Sequence, residues 1–272
     1  MRLTLLFTLF LCCVAVSTQA QTTIPFHVYI KPGTVYREKI VQTMHMTFNL
    51  DSVPDAVRDA IQNAGAAKKT MESYMEMETH SGKRQGDGTT PIRMQVINDT
   101  GATAAALPIG TTFYGHAGSS GMPVFDSIDL KGQDEQKQAI LSMIKKISGQ
   151  VVLPDTVLAI GASYTQTMPL VIPMGPMSMK MNIAQTYTLK SVSADTAGFD
   201  IKMKASFEGA GTDIPLTGGG DGWGHMVYDR KNNYPTDMEM MLTMNIAVKQ
   251  GEVNMKIVMQ AGTSRHCTVR PE

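Results

Sequence analysis

The chain has 272 residues, with 24 lysines and arginines against 24 aspartates and glutamates, so its net charge at neutral pH is zero. Proteins that bind nucleic acids depend on concentrated positive charge, and this balance argues against that class. Methionine accounts for 22 residues, and its placement matters more than its number.

The N-terminus has the three parts of a secretory signal peptide. A basic start, "MR", precedes an apolar run over residues 3–16, and the small residues of "VSTQA" follow. The run is too short to cross a bilayer comfortably, since a membrane helix needs about 20 apolar residues. We therefore expect a signal peptide at 1–20 with cleavage near Ala20. The exported chain, 21–272, should be soluble and periplasmic or extracellular, without a transmembrane segment.

Only one cysteine would remain after that cleavage. Cys12 and Cys13 leave with the signal peptide, so Cys267 has no partner for an intrachain disulfide, although the compartment would allow one. Cys267 lies five residues from the C-terminus, and no acid stands near its neighbour His266 in the sequence. We expect a thiol in a frayed tail and not a catalytic residue.

Alternation of apolar and polar residues is the main structural signal. Over 238–248 every even position is apolar, whereas most odd positions are polar. Stretches 177–189, 199–207 and 253–259 repeat the pattern, and the N-terminal half contains similar segments. A period of two residues is typical of strands that bury one face.

Turn-forming segments separate these strands. Glycine, asparagine or proline is concentrated at 193–198, 209–222, 229–235 and 249–252. Short connections of this kind join antiparallel neighbours. The last four strands should therefore form a meander.

Two segments have helical spacing. The first, 54–65, follows a capping serine and has proline in its first turn. The second, 133–148, has acids at its start and Lys145-Lys146 at its end, an order that complements the helix dipole. The predicted fold is mainly β, a large twisted antiparallel sheet or half-barrel with two covering α-helices. We expect one β-rich domain over 21–272, with two related β halves, 24–130 and 150–267, as an open alternative.

Several segments resemble a known family in the order in which they occur. "KPGTVYREKI", "GHAGSSGMPVFDSID", "LPDTVLAIGASYTQTMP", "YTLKSVSADTAGFDIKM" and "GGGDGWGHMVYD" resemble an uncharacterised family of exported Bacteroidota proteins, defined only as a domain of unknown function. The resemblance runs from about Tyr29 to Val258 and rests on the order of strands and turns. Tyr164 stands where that family often has tryptophan. The resemblance implies export but no substrate or active site. At the level of fold alone, a one-faced sheet with covering helices is similar to LolA/LppX-like lipoprotein carriers.

No motif in the sequence specifies a reaction. The glycine run at 218–224 lacks the Gly-Lys-Ser/Thr ending of a phosphate loop, and we interpret it as a flexible turn. The six histidines form no His-x-His or His-x-x-x-His pair, and no Gly-x-Ser-x-Gly elbow occurs. We predict a protein that is not an enzyme, with no catalytic residues, no cofactor and no metal ligands.

Methionine stands on the apolar strand faces where leucine would be usual. Its flexible, polarizable side chain adapts to irregular apolar guests, so these faces could bind a lipid, another apolar ligand or a lipidated partner. The candidate ligand-binding residues are Met44, Met46, Met75, Met77, Met177, Met179, Met181, Met203, Met240 and Met244. Two alternatives stay open. The methionines could simply pack the core of a structural or interaction protein, or their sulfur atoms could bind Cu(I).

Overall fold

The computed structural model describes residues 22–50, 68–101, 107–118, 122–130, 134–149, 153–174, 177–210, 216–250 and 253–272, with isolated residues between 54 and 63. The predicted signal peptide at 1–20 lies outside this part of the chain. Most of the helix predicted at 54–65 also lies outside it.

The described residues form thirteen strands and one bounded helix. The strands are β1 (Thr23–His27), β2 (Thr34–Asn49), β3 (Lys68–Ser81), β4 (Thr90–Gly101), β5 (Thr112–Ala117), β6 (Pro123–Asp129), β7 (Asp155–Ala159), β8 (Ser163–Met174), β9 (Met177–Val192), β10 (Thr196–Ala210), β11 (Leu216–Asp229), β12 (Tyr234–Gln250) and β13 (Val253–Pro271). The helix α1 (Asp134–Ser148) lies between β6 and β7.

Eleven strands form one antiparallel sheet in the order β6-β5-β4-β3-β2-β13-β12-β11-β10-β9-β8. Two meanders, β2–β6 and β8–β13, meet where β2 pairs with β13, from Thr34 opposite Pro271 to Asn49 opposite Lys256. The prediction of a mainly β, antiparallel fold is confirmed. The sheet is open, because β6 and β8 are edge strands. A relation between the two β halves stays a prediction.

One face of the sheet, here called the inner face, carries most of the buried apolar side chains. In β10 the inner face holds Phe199, Ile201 and Met203, all buried, whereas Lys202 and Lys204 point to the opposite, outer face and are exposed. The register carries this division across the sheet. The period of two residues read from the sequence therefore identified the correct faces.

A separate pair of strands, β1 and β7, packs on the inner face over β9, β10 and β11. Phe26 of β1 stacks on Phe199 with ring centroids 4.5 Å apart and lies 5.6 Å from the rings of Tyr187 and Tyr228. The Tyr228 hydroxyl also donates a hydrogen bond of 2.8 Å to the carbonyl oxygen of His27. Aromatic packing and this hydrogen bond fix the pair to the sheet.

The helix α1 covers the inner face near the opposite edge of the sheet, over β4, β5 and β6. Leu141 is buried among Ile92, Phe113 and Phe125 of β4, β5 and β6. The helix keeps the predicted acidic first turn and basic last turn. The prediction of two covering helices is corrected to one for the described residues, because the strands β1 and β7, and not a second helix, cover β9, β10 and β11. In β1 the buried Ile24 and Phe26 alternate with the exposed Thr23 and Pro25, a period of two that sequence reasoning missed.

The glycine run predicted as a flexible turn lies within β11, so that prediction was wrong. Gly218, Gly220, Gly222 and Gly224 fall on the inner face of the strand. A Cβ atom on Gly220 would stand 2.0 Å from the backbone oxygen of Thr243 in β12. Only glycine permits so close an approach, and such positions allow a sheet to coil sharply.

No helix among the described residues combines the length and apolar character needed to cross a membrane.

Candidate functional site

A cavity of about 430 Å³ lies against the inner face of the sheet. Met94 of β4 and Phe125 of β6 line one side, Gln166 and Met168 of β8 line the other, and Phe26 of β1 also contributes. Because β6 and β8 are the two edges of the sheet, the sheet must curve enough to bring both edges to one cavity. Pockets for small ligands have volumes of about 300–1,000 Å³, and this cavity falls within that range.

The walls of the cavity are mainly apolar and rich in methionine. The methionines that line it are Met94, Met122, Met168, Met226 and Met238. Methionine side chains change rotamer easily and can follow the outline of an irregular guest. The lining is therefore suited to an apolar ligand without a rigid shape.

A buried ion pair interrupts the apolar lining. Arg265 of β13 donates from Nη2 to Glu38 Oε1 of β2 at 2.5 Å, and the two side chains are only 15% and 14% exposed. The Tyr234 hydroxyl donates to the same carboxylate oxygen at 2.7 Å and accepts a hydrogen bond from Arg265 at 2.8 Å. Burial, with the nearby charge of Glu38, raises the pKa of Tyr234 well above its ordinary value, so its phenol keeps its proton.

Two glutamines supply further polar groups at the cavity wall. Gln166 and Gln185 are cross-strand neighbours on β8 and β9. Gln185 Oε1 accepts a hydrogen bond of 2.7 Å from Tyr187, whereas Gln166 Nε2 lies 3.6 Å from the sulfur of Met168. Gln166 is 9% exposed, and its Oε1 has no hydrogen-bond partner within the described residues. A buried acceptor without a donor costs about 1–3 kcal/mol.

The predicted ligand-binding methionines lie beside this cavity and not in its lining. Met203 and Met244 are buried, and the side chains of Met177 and Met179 lie outside the described part of the chain. The half-buried ones are Met44, Met46, Met75, Met77, Met181 and Met240. Whether this set binds a ligand stays a prediction.

The sheet register connects these methionines to the cavity. Met46, Met259 and Met244 lie directly opposite one another on β2, β13 and β12. The same line of cross-strand neighbours continues over Gly220, Ala205 and Ile183 and ends at Met168, which lines the cavity. We call this line the methionine row. It extends the apolar surface from the cavity along the inner face.

Sequence reasoning missed the polar groups of the site. Glu38, Arg265, Gln166 and Gln185 all occupy inner-face positions of their strands, where the pattern is otherwise apolar. A charged or amide side chain at such a position is the signal that could have found them, because a buried polar group needs a structural or functional reason.

Cys267 is not the frayed thiol that its sequence position suggested. It is buried in β13, which pairs with β2 in the middle of the sheet. Burial, helped by the charge of Glu38, raises the pKa of the thiol to about 12. The thiol is therefore protonated and inert in the folded protein at neutral pH.

Within the described residues, no group of three or more histidine, cysteine or acidic side chains is arranged to hold a metal ion. The Cu(I) alternative depends on methionine sulfur and stays a prediction.

The sequence matches no protein-family model and no curated protein. Among solved structures, a mutant porin of Rh. blastica is similar over 86% of this chain and all of its own, at 6% identity and a TM-score of 0.28. The Pseudomonas aeruginosa protein OccK5 (OpdH) is similar over 89% of this chain and 99% of its own, at 6% identity and a TM-score of 0.26. A Bacteroides fragilis protein with a YmcC-like fold, thought to be exported, is similar over 86% and 97% of the two chains, at 10% identity and a TM-score of 0.21. Similarity this low carries no inference about this chain, and its resemblance to an exported family stays a prediction.

Proposed function

We propose that the protein is a non-enzymatic binder of an apolar ligand, such as the acyl chain of a lipid or of a lipidated partner. The observation that carries the proposal is the methionine-lined cavity of about 430 Å³ on the inner face. A largely apolar pocket with a few fixed polar groups is the usual form of a small-molecule site.

The shape of the apolar surface favours a chain-like guest. Met168 belongs both to the cavity lining and to the methionine row, and Met259 and Met46 at the far end of the row are half-buried. An acyl chain could lie along the row while its head occupies the cavity.

We also propose that this binding takes place outside the cytoplasm. The support is the pattern of a basic start, a short apolar run and small residues over 1–20. Together the two proposals describe an envelope or secreted protein that holds a lipid away from water.

Mass spectrometry of the native protein, purified without detergent from its own host, tests the proposal most directly. We expect added mass that corresponds to a lipid. Retained metal would instead support the Cu(I) alternative, and an unmodified mass would count against ligand capture in the host.

Binding of an uncharged apolar dye, phenylnaphthylamine, tests the place of binding. Met238 lines the cavity on β12, whereas Met241 of the same strand is exposed on the outer face. Met238→Trp should fill part of the cavity and weaken dye binding about tenfold, a loss of about 1.4 kcal/mol. Met241→Trp should leave binding unchanged. Equal affinities in the two variants, at matched unfolding midpoints, would exclude the cavity as the site.

A further inference from the structure

We infer that the ligand is an uncharged amphiphile whose head group both donates and accepts hydrogen bonds, and that this head lies at Gln166 and Arg265. Hydroxyl and primary amide heads have this chemistry. The inference rests on the proposed function, because it specifies the ligand of the same cavity.

The charge at the cavity excludes an ionised head. Glu38 and Arg265 are the charged residues of the lining, and they neutralise each other through a direct hydrogen bond. A carboxylate or phosphate placed beside them would leave one negative charge without a counterion in a mainly apolar enclosure. Burial of an unpaired charge is strongly unfavourable, whereas an uncharged head adds no such penalty.

The need for a donor follows from Gln166. Its Nε2 faces the sulfur of Met168, a weak acceptor, while its buried Oε1 has no donor in the described residues. The opposite orientation of the amide would place the oxygen against a thioether, which has no hydrogen to donate. Oε1 is fully buried where it stands, so the Gln166 amide would rotate toward the cavity for a ligand N–H or O–H to satisfy this acceptor, which has no donor in the described residues.

The need for an acceptor follows from Arg265. Within the described residues, its hydrogen bonds to Glu38 and Tyr234 both use Nη2. A guanidinium group has five N–H donors, so Nε and Nη1 can donate to a ligand oxygen. A hydroxyl or amide oxygen accepts such a bond without adding charge.

The positions of these groups set the direction of the ligand. Gln166 and Gln185 lie on the line of cross-strand neighbours next to the methionine row, and Arg265 lies further from that row. The head would thus lie at the polar side of the cavity, and the chain would leave along the methionine row. In this orientation the head is shielded from water, and the chain contacts the flexible methionine side chains of the row.

Four ligands with the same chain test the inference: hexadecanamide, hexadecanol, methyl hexadecanoate and hexadecanoate. Their affinities are measured by displacement of phenylnaphthylamine at about pH 8, where the acid is ionised. The amide and the alcohol should bind at least about tenfold more tightly than hexadecanoate, and also more tightly than the methyl ester, which has no donor.

Gln166→Met supplies the decisive variant, because it keeps the length of the side chain and removes the acceptor. It should weaken binding of the amide and alcohol about tenfold and leave the methyl ester unchanged. Gln260→Met, at an exposed position of the outer face, is the matched control and should change none of the four affinities.

The outcomes separate the two proposals. Equal binding of all four ligands, or tightest binding of hexadecanoate, would overturn the head-group inference and leave an apolar-ligand protein. Unchanged amide and alcohol affinities in Gln166→Met would also overturn it. Failure of every ligand and of the dye to bind would overturn the proposed function itself.

Discussion

Glu38 and Arg265 are charged side chains at the cavity, and each depends on the other for a partner. Removal of the guanidinium group in Arg265→Met would leave the Glu38 carboxylate buried with Tyr234 as its described hydrogen-bond donor. Loss of one member of a buried pair typically costs about 3–5 kcal/mol. We expect a decrease of that size in the free energy of unfolding, measured with urea.

Arg270 on the same strand provides the control for this prediction. Its side chain is 64% exposed and lies 3.5 Å from Glu78. Exposed pairs contribute about 0–1 kcal/mol, so Arg270→Met should have little effect. Similar losses of stability in the two variants would contradict the prediction, because they would show that the pair of Glu38 and Arg265 contributes no more than an exposed ion pair.

Glu76, which lies on the outer face, makes the free energy of unfolding depend on pH. Arg37 donates to it at 2.6 Å and Tyr74 at 3.1 Å, and the bond from Arg37 is the main reason that the pKa of Glu76 lies below its ordinary value of 4.5. Because the folded pKa is the lower one, the ionised carboxylate stabilises the fold above about pH 4.5. That contribution disappears as the pH falls through the folded pKa.

We therefore expect Glu76→Gln to lose less stability than the wild type when the pH falls from about 6 to about 3. Urea unfolding at several pH values measures this slope. Glu72→Gln, at an exposed position of the same strand, should keep the acid dependence of the wild type. A wild-type slope in Glu76→Gln would contradict the assignment.

The glycines of β11 matter at the scale of elements, because they set how closely two strands approach. Gly220→Ala would place a Cβ atom 2.0 Å from a backbone oxygen of β12, which cannot move without shifting the strand. Forced shifts of this kind cost about 1–3 kcal/mol, occasionally more. We expect a loss of at least that size and weaker dye binding, since the curvature of the sheet shapes the cavity.

Gly86→Ala is the matched control, because no atom lies within 4 Å of a Cβ built at that exposed loop position. It should leave both the unfolding midpoint and dye binding unchanged. A neutral Gly220→Ala would mean that glycine is not required for the approach of β11 to β12.

The long strands and their faces could be read from the sequence, since burial of one face imposes a period of two residues. Over 238–248 of β12 and 199–207 of β10 the inner positions were identified correctly, whereas Ala197 and Tyr234 at the starts of these strands were assigned to turns. The alternation of Ile24 and Phe26 in β1 was missed, whereas β7 offers no clear pattern, because apolar Val157 is exposed beside the buried Leu158. The glycine run misled the prediction, since a residue without a side chain carries no information about period.

The order of the strands in the sheet and the position of the cavity could not be predicted from local sequence patterns, because both depend on the fold of the whole molecule. A hydrophobic pattern shows which face a residue occupies but does not show which strands are neighbours. Glu38 and Arg265 stand 227 residues apart in the sequence and meet only because β2 pairs with β13. The predicted methionines belong to inner-face positions, while the cavity is lined by residues from both edge strands, β6 and β8.

The pairing of β2 with β13 also determines when the molecule can finish folding. During synthesis one edge of β2 stays unpaired until residues 253–271 have emerged, after all the other strands of the second meander. Contacts this distant in sequence slow folding, and an unpaired edge beside an apolar face invites incorrect association. A chain halted before β13 would present two separate half-sheets, each with a bare edge, to chaperones and proteases.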